Sequence, residues 1–244
     1  VPAQRGPVLI DSDGFPARMP GAGKIGAGAA SIASVGGSAL RRVPKPPLEA
    51  GRPRVQRIVD ELRPVHLELA PPQRDEWVLA LEGDVTYECE VSLADLERIG
   101  PEEREIDFHC VWGWSRQRAR WTGVPVQRLL DLAMPGSQAR YAMLRAYDSP
   151  YASCVPLADL CAGFLAFALD GEPLDPMNGG PLRWVQPHYM YGYKGVKWLA
   201  SITLQNEFTP GFWEDAVGDA HGYIPDGTLA MFEHPEFYES GEAA

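Results

Sequence analysis

No two cysteines in this chain form a Cys-x-x-Cys pair: the four stand at positions 89, 110, 154 and 161, and the Cys154/Cys161 spacing matches no common zinc pattern. A self-contained zinc module is thereby excluded, and a disulfide framework is not expected in a chain of 244 residues. Also absent is any run approaching the roughly 18 to 20 uninterrupted apolar residues that a membrane-spanning helix needs. The best candidate, residues 27–40, is short and rich in Gly and Ser. Positive charge is scarce. The formal charge of −11 argues against a nucleic-acid binder, because phosphate-backbone affinity comes from clustered Lys and Arg. A phosphate loop is missing too: Lys24 is followed by Ile25 where Ser or Thr would hold magnesium. Gly21 to Gly26 spells a dinucleotide fingerprint, but Pro20 precedes it and no buried strand leads into it, so it reads as linker.

The charge that is present is uneven. Residues 1–63 hold ten basic and five acidic side chains, net +5, which leaves −16 for the remainder. The first fifty-odd residues are dominated by Gly, Pro, Ala and Ser without helical or strand period, and residues 1–55 are therefore expected to form an extended basic arm. Residues 56–244, in a chain that is 45% hydrophobic, suffice for one core. Trp77 to Val85 reads as a strand, a Gly-Asp turn and a second strand, and Ser92 to Gly100 as a short helix with Ser92 as N-cap and Asp95 at the capping-box position. Glu105 to Val111 predicts a strand, and Val126, Leu129, Leu130 and Ala133 a helix. Strands are expected over 141–147, 164–169 and 196–205, with a helix over 156–161 and a turn at Asp170-Gly171. Helices and strands mixed without a βαβ rhythm indicate an α+β fold.

Two features carry chemistry. Cys110 ends the expected strand and enters the Trp- and Gly-rich stretch Val111 to Ser115, a place where scaffolds present reactive groups. His109 adjoins it, but neighbouring side chains on a strand point to opposite faces, so it is a poor base for that thiol and a Cys-His hydrolase is disfavoured. One thiolate without a His cluster cannot close a zinc site, and a soft ligand prefers a soft or high-valent metal; the missing ligands would come from a cofactor. The second feature is an anion cradle. Gly179 and Gly180 allow close backbone approach and exposed amides, Arg183 adds a planar fork, and Lys194 and Lys197 add point charges.

On these residues the chain resembles the oxidoreductase molybdopterin-binding domain of the sulfite oxidase family, nearest its short, haem-free bacterial members. The resemblance runs from roughly Trp77 to Tyr223. It is carried by His109-Cys110-Val111 with Trp114-Ser115, by Arg120 to Pro125, by Asp170 to Leu174, by Gly179 to Arg183, and by Tyr191 to Trp198 with Gly211 to Glu214 behind it. It implies a β-rich mixed fold and a mononuclear molybdenum bound by one molybdopterin, with no haem and with Cys110 as the metal's protein ligand. His109, Trp112, Gly179, Gly180, Arg183, His188, Gly192, Lys194 and Lys197 would surround the cofactor. Oxygen-atom transfer to or from sulfur or another heteroatom is the implied reaction, with Tyr151 and Arg145 near the substrate and electrons exchanged through a separate electron-transfer protein or larger redox complex.

Many relatives have Asp-Gly-Tyr-Ser where this chain has Asp148-Ser149-Pro150-Tyr151, so the wall beside the metal is expected to differ. Arg116, Arg118 and Arg145 are the candidates for a cationic pocket that would take an oxyanion substrate. With Cys110 on the metal an odd three thiols remain, which suggests reduced cysteines and a cytoplasmic setting; an upstream signal would make it periplasmic. A rival expectation is an accessory subunit that keeps the fold and docks on a larger complex through its basic arm.

Overall fold

In a computed structural model of the chain, the described residues are 9–10, 16–17, 57–62, 74–111, 113–147, 149–217 and 220–224. Most of the expected arm lies outside them. What is described there is one short antiparallel pairing of β1 (Leu9–Ile10) with β2 (Pro16–Ala17).

Two sheets build the domain. One joins β3 (Arg57–Ile58), β6 (Glu102–His109), β7 (Trp114–Pro125), β10 (Phe164–Leu169), β11 (Glu172–Pro173) and β12 (Arg183–Val185), with β7 and β10 at its centre. The other runs in the order β5 (Cys89–Ser92), β4 (Val78–Gly83), β13 (Leu199–Gln205), β8 (Tyr141–Ala146), β9 (Ala152–Pro156). Pairings are antiparallel except β4 with β13 and β3 with β7. Helices α1 (Leu93–Arg98), α2 (Val126–Ala133) and α3 (Leu157–Ala162) contribute to the larger core, and α4 (Phe212–Val217) contacts β9. The fold is thus α+β and β-rich, as expected.

Local sequence explains these elements. Ser92 accepts the Asp95 amide at 3.1 Å while the Asp95 carboxylate accepts the Ser92 amide at 3.1 Å, closing the capping box that starts α1. Helix α2 buries Val126, Leu129, Leu130 and Ala133, its one apolar stripe. Asp170 and Gly171 both take positive φ, 54° and 89°, the conformation a two-residue hairpin between β10 and β11 requires. Strand β10 is apolar throughout because both its faces are covered. Leu165 and Phe167 enter the main core, whereas Phe164 and Ala166 join a second cluster with Phe108, Trp114, Trp121 and Val185.

The stretch after Cys110 is a tight turn: Gly113, at φ 80°, donates to Cys110 O at 3.0 Å, the Cys110 amide donates to Trp114 O at 2.9 Å, and β7, a strand not expected from the sequence, then runs for 12 residues. Its alternation hides behind arginines, with Ala119 and Trp121 inward and Arg118 and Arg120 outward. The last strand begins at Leu199 and not at Val196, since Val196 bridges Trp184 and Trp198 takes φ 50°. Among the described residues no helix is long and apolar enough to cross a membrane.

Candidate functional site

Strand β6 delivers Cys110 one residue past its end, half-buried against the second cluster. His109 turns away from that thiol: its ring is buried, with Nδ1 2.7 Å from Ser115 Oγ. A bridge between His109 and Tyr191 brings the segment around Gly192–Lys194, a single 3-10 turn, alongside the cysteine. Gly192 is required there by contact, because a Cβ would stand 2.2 Å from the Phe108 ring.

Phe108 lies two residues before Cys110, on the face of the sheet that Arg183 also reaches. The Arg183 guanidinium sits 4.9 Å above the Phe108 ring and 5.6 Å from that of Trp121, only 3% exposed. Its Nη1 donates to Asn178 O at 3.0 Å, and burial lowers its pKa to about 10, still a cation at neutral pH. Its Nε has no partner, nor does the Trp121 indole N–H, nor either amide atom of the fully buried Gln186. Each such atom costs about 1–3 kcal/mol when left unmade. Arg183 and Trp121 lie together, and their unused donors mark a place suited to a polar ligand. Lys197 borders it, donating to Met177 O at 2.7 Å; burial and the charge of Arg183 lower its pKa to about 7, with Asp175 opposing.

Tyr151 joins the group through its hydroxyl, which donates to Tyr193 O. Burial first, then the Glu214 carboxylate, push its pKa above the ordinary phenol range, with Arg183 opposing.

Several expected site residues are placed differently. Lys194 does not offer its ammonium to a ligand: it is 0% exposed and donates to Glu214, to Cys154 O at 2.7 Å and to Ala220 O at 3.0 Å, one acceptor for each of its donors. Gly179 and Gly180 do not form an open anion nest either. Their amides donate to Pro176 O at 3.1 Å and Asp175 O at 2.8 Å, and a Cβ on Gly180 would stand 1.8 Å from Leu174 O. Both glycines serve close chain packing. Arg116 pairs with Asp170 and Arg118 with Glu105, while Arg145 is exposed on β8 opposite Ala152 and Ser201, so these three do not converge on a cationic pocket. His188 is exposed, edge-on to Tyr189, and Trp112 lies outside the described residues, as does Asp148.

Sequence reasoning passed over Phe108, Asn178 and Gln186. Phe108 was signalled by the two-residue period of β6, and Gln186 by its polarity at the end of the apolar run Leu182 to Val185. Nothing local points to Asn178, which contributes only a backbone carbonyl.

A family model described as oxidoreductase molybdopterin binding domain matches residues 66–213, more than half of the chain. The chain is 38% identical over 141 residues to the uncharacterized oxidoreductase YuiH of Bacillus subtilis (strain 168), a match spanning 57% of this chain and 70% of that protein. Among solved structures, the sulfane dehydrogenase SoxCD from Paracoccus pantotrophus matches with a TM-score of 0.51 at 21% identity, over 58% of this chain and 40% of that one. At that identity the likeness is one of fold, and this chain spans less than half of that protein's length.

Proposed function

Because the chain belongs to the oxidoreductase molybdopterin-binding domain family, we propose that it is a molybdenum-dependent oxidoreductase that moves an oxygen atom between water and a sulfur or other heteroatom centre. In this reading residues 56–244 are the working domain, one molybdopterin is bound, no haem is involved, and Cys110 is the metal's protein ligand. The residues fit such a group. A half-buried thiol packs against the cluster whose Phe108 and Trp121 rings carry an enclosed guanidinium with an unpartnered Nε, and the partly buried amine of Lys197 lies near that guanidinium. When bound, the cofactor supplies a metal that exchanges an oxygen atom and an electron pair with the substrate.

The chain's own residues do the rest. Arg183 and Lys197 hold the cofactor's phosphate by charge, in an enclosure where the attraction is only weakly screened. Tyr151 keeps a proton on its phenol oxygen at neutral pH, because burial and Glu214 disfavour the phenolate, and that proton is committed to the Tyr193 carbonyl, so the side chain positions the turn beside the site. Because Arg116 and Arg118 are engaged with acidic partners, the site favours a substrate other than a strongly anionic one. Electrons pass to a separate electron-transfer protein.

The observation that carries the reading is the half-buried thiol of Cys110 at the strand end, packed on the aromatic cluster whose rings carry Arg183. Wild-type protein from its native host is expected to carry stoichiometric molybdenum and pterin. Cys110→Ser is expected to keep the fold and abolish oxygen-atom transfer measured with an artificial electron carrier, since the thiolate tunes the metal. Undiminished turnover in that variant overturns the assignment.

A further inference from the structure

Gln186 follows β12 directly and is 0% exposed, yet neither Oε1 nor Nε2 has a hydrogen-bond partner. An apolar side chain of similar volume would fill this place without that cost, and Leu182 and Val185 beside it in sequence are apolar and fully buried. A second observation shows that the surroundings are shaped to the amide. A Cβ on Gly195 would stand 2.3 Å from Gln186 Oε1, so the bare backbone of the turn makes room for the carboxamide. That turn is the one whose Gly192 presses on Phe108, and Phe108 carries Arg183 on its ring and precedes Cys110 by two residues. The unpartnered amide therefore lies against the turn that the His109–Tyr191 bridge brings alongside the thiol.

A carboxamide presents one acceptor and one donor side by side in a plane, the pattern that reads a neighbouring N–H and C=O on a heterocycle. We propose that Gln186 binds the organic part of the cofactor, its amide pairing with the donor-acceptor edge of the pterin ring. The proposal rests on the reading that this domain loads molybdopterin. The Trp121 N–H and Arg183 Nε, close to one another, are two further buried donors without partners. A trapped water is the rival partner for the amide.

Pterin retention decides between them. Gln186→Leu and Gln186→Glu are purified beside the wild type, and bound pterin is measured by fluorescence after release, both at once and after dilution. In both variants retention is expected to fall about tenfold, the loss that two hydrogen bonds of ordinary net worth would produce. The cofactor-free Gln186→Leu protein is expected to melt no lower than the cofactor-free wild type. Retention equal to wild type in Gln186→Leu assigns the amide to water and overturns the proposal; should that variant not fold, equal retention in Gln186→Glu does the same. Wild type without pterin overturns both this proposal and the functional reading. Wild type that holds pterin but turns over no substrate overturns the functional reading alone, and the retention ratio still decides the role of Gln186.

Discussion

Lys194 and Arg183 are two enclosed cations with opposite surroundings. Lys194 meets three acceptors, and Glu214, its counter-ion, also accepts the Ser153 hydroxyl at 2.8 Å and the Cys154 amide at 3.1 Å. Arg183 meets one carbonyl and two ring faces, and its Nε is left over. Burial alone thus does not separate an architectural charge from a binding one; the count of unused donors does. The pair ties α4, β9, the Gly192–Lys194 turn and Ala220 into a frame with every ammonium donor in use and only Glu214 Oε2 left over, and that frame carries the Tyr193 carbonyl to which Tyr151 is bonded. The guanidinium with its unused donor sits over Phe108, the ring against which Gly192 of that turn packs.

Breaking the Lys194–Glu214 pair should give the largest effect. Lys194→Met leaves the Glu214 carboxylate enclosed without its counter-ion, and a loss of about 3–5 kcal/mol is expected by urea denaturation. Replacing both partners, in Lys194→Met/Glu214→Leu, should return most of it, because the uncompensated charge is gone. A loss under about 1 kcal/mol in the single variant would be the worth of an exposed pair, and the contrast with Arg183 would fall.

Arg183→Met sharpens the contrast from the other side. The cofactor-free protein should change by no more than about 1 kcal/mol, since the cation–π attraction it gives up, worth roughly 0.5–2 kcal/mol, is offset by removing a half-satisfied buried charge. Cofactor retention should instead fall roughly tenfold to a hundredfold, as expected for charge-assisted hydrogen bonds worth about 1.5–3 kcal/mol. Denaturation curves and pterin content measured on one preparation test both halves. A large loss of stability with unchanged pterin would make Arg183 another frame residue.

What was legible in the sequence is what near neighbours decide. The Ser92/Asp95 box, the apolar stripe of α2, the Asp170-Gly171 turn and the strand end at Cys110 each depend on residues a few positions apart, and each is found where expected. The misplaced features depend on distant partners. Nothing near Lys194 reveals that Glu214 and Ala220 will close over it, and nothing near Gly179 reveals that the Lys197 side chain will pack against it, 2.8 Å from where a Cβ would stand. Strand β7 was hidden for another reason: its outward face carries Arg118 and Arg120, and exposed arginines masked the inward Ala119 and Trp121. Residue type announces a charge, but only the fold determines whether its donors are already in use.

Lys197 lies close enough to Arg183 to feel its charge, and its proton gives the most discriminating test. Its pKa in the folded, cofactor-free protein is lowered to about 7, first by burial and then by Arg183, whereas in the unfolded chain it titrates near 10.4, as ordinary lysines do. Between those values the unfolded chain binds the extra proton, so stability must rise as pH rises through this window, by at most about 1.4 kcal/mol per pH unit, and level off below it. An anionic ligand reverses the preference, because it favours the ammonium. Binding above about pH 7 should therefore draw a proton from solution, and affinity should weaken by up to about tenfold per pH unit there. Titration calorimetry of the cofactor-free protein with a phosphomonoester, in two buffers of different ionisation enthalpy, reads that uptake directly. The uptake should be present at pH 8, persist in Arg183→Ala if any binding remains, and vanish in Lys197→Met. Binding without proton uptake would place Lys197 beside Lys194, as a cation that holds the frame and not the ligand.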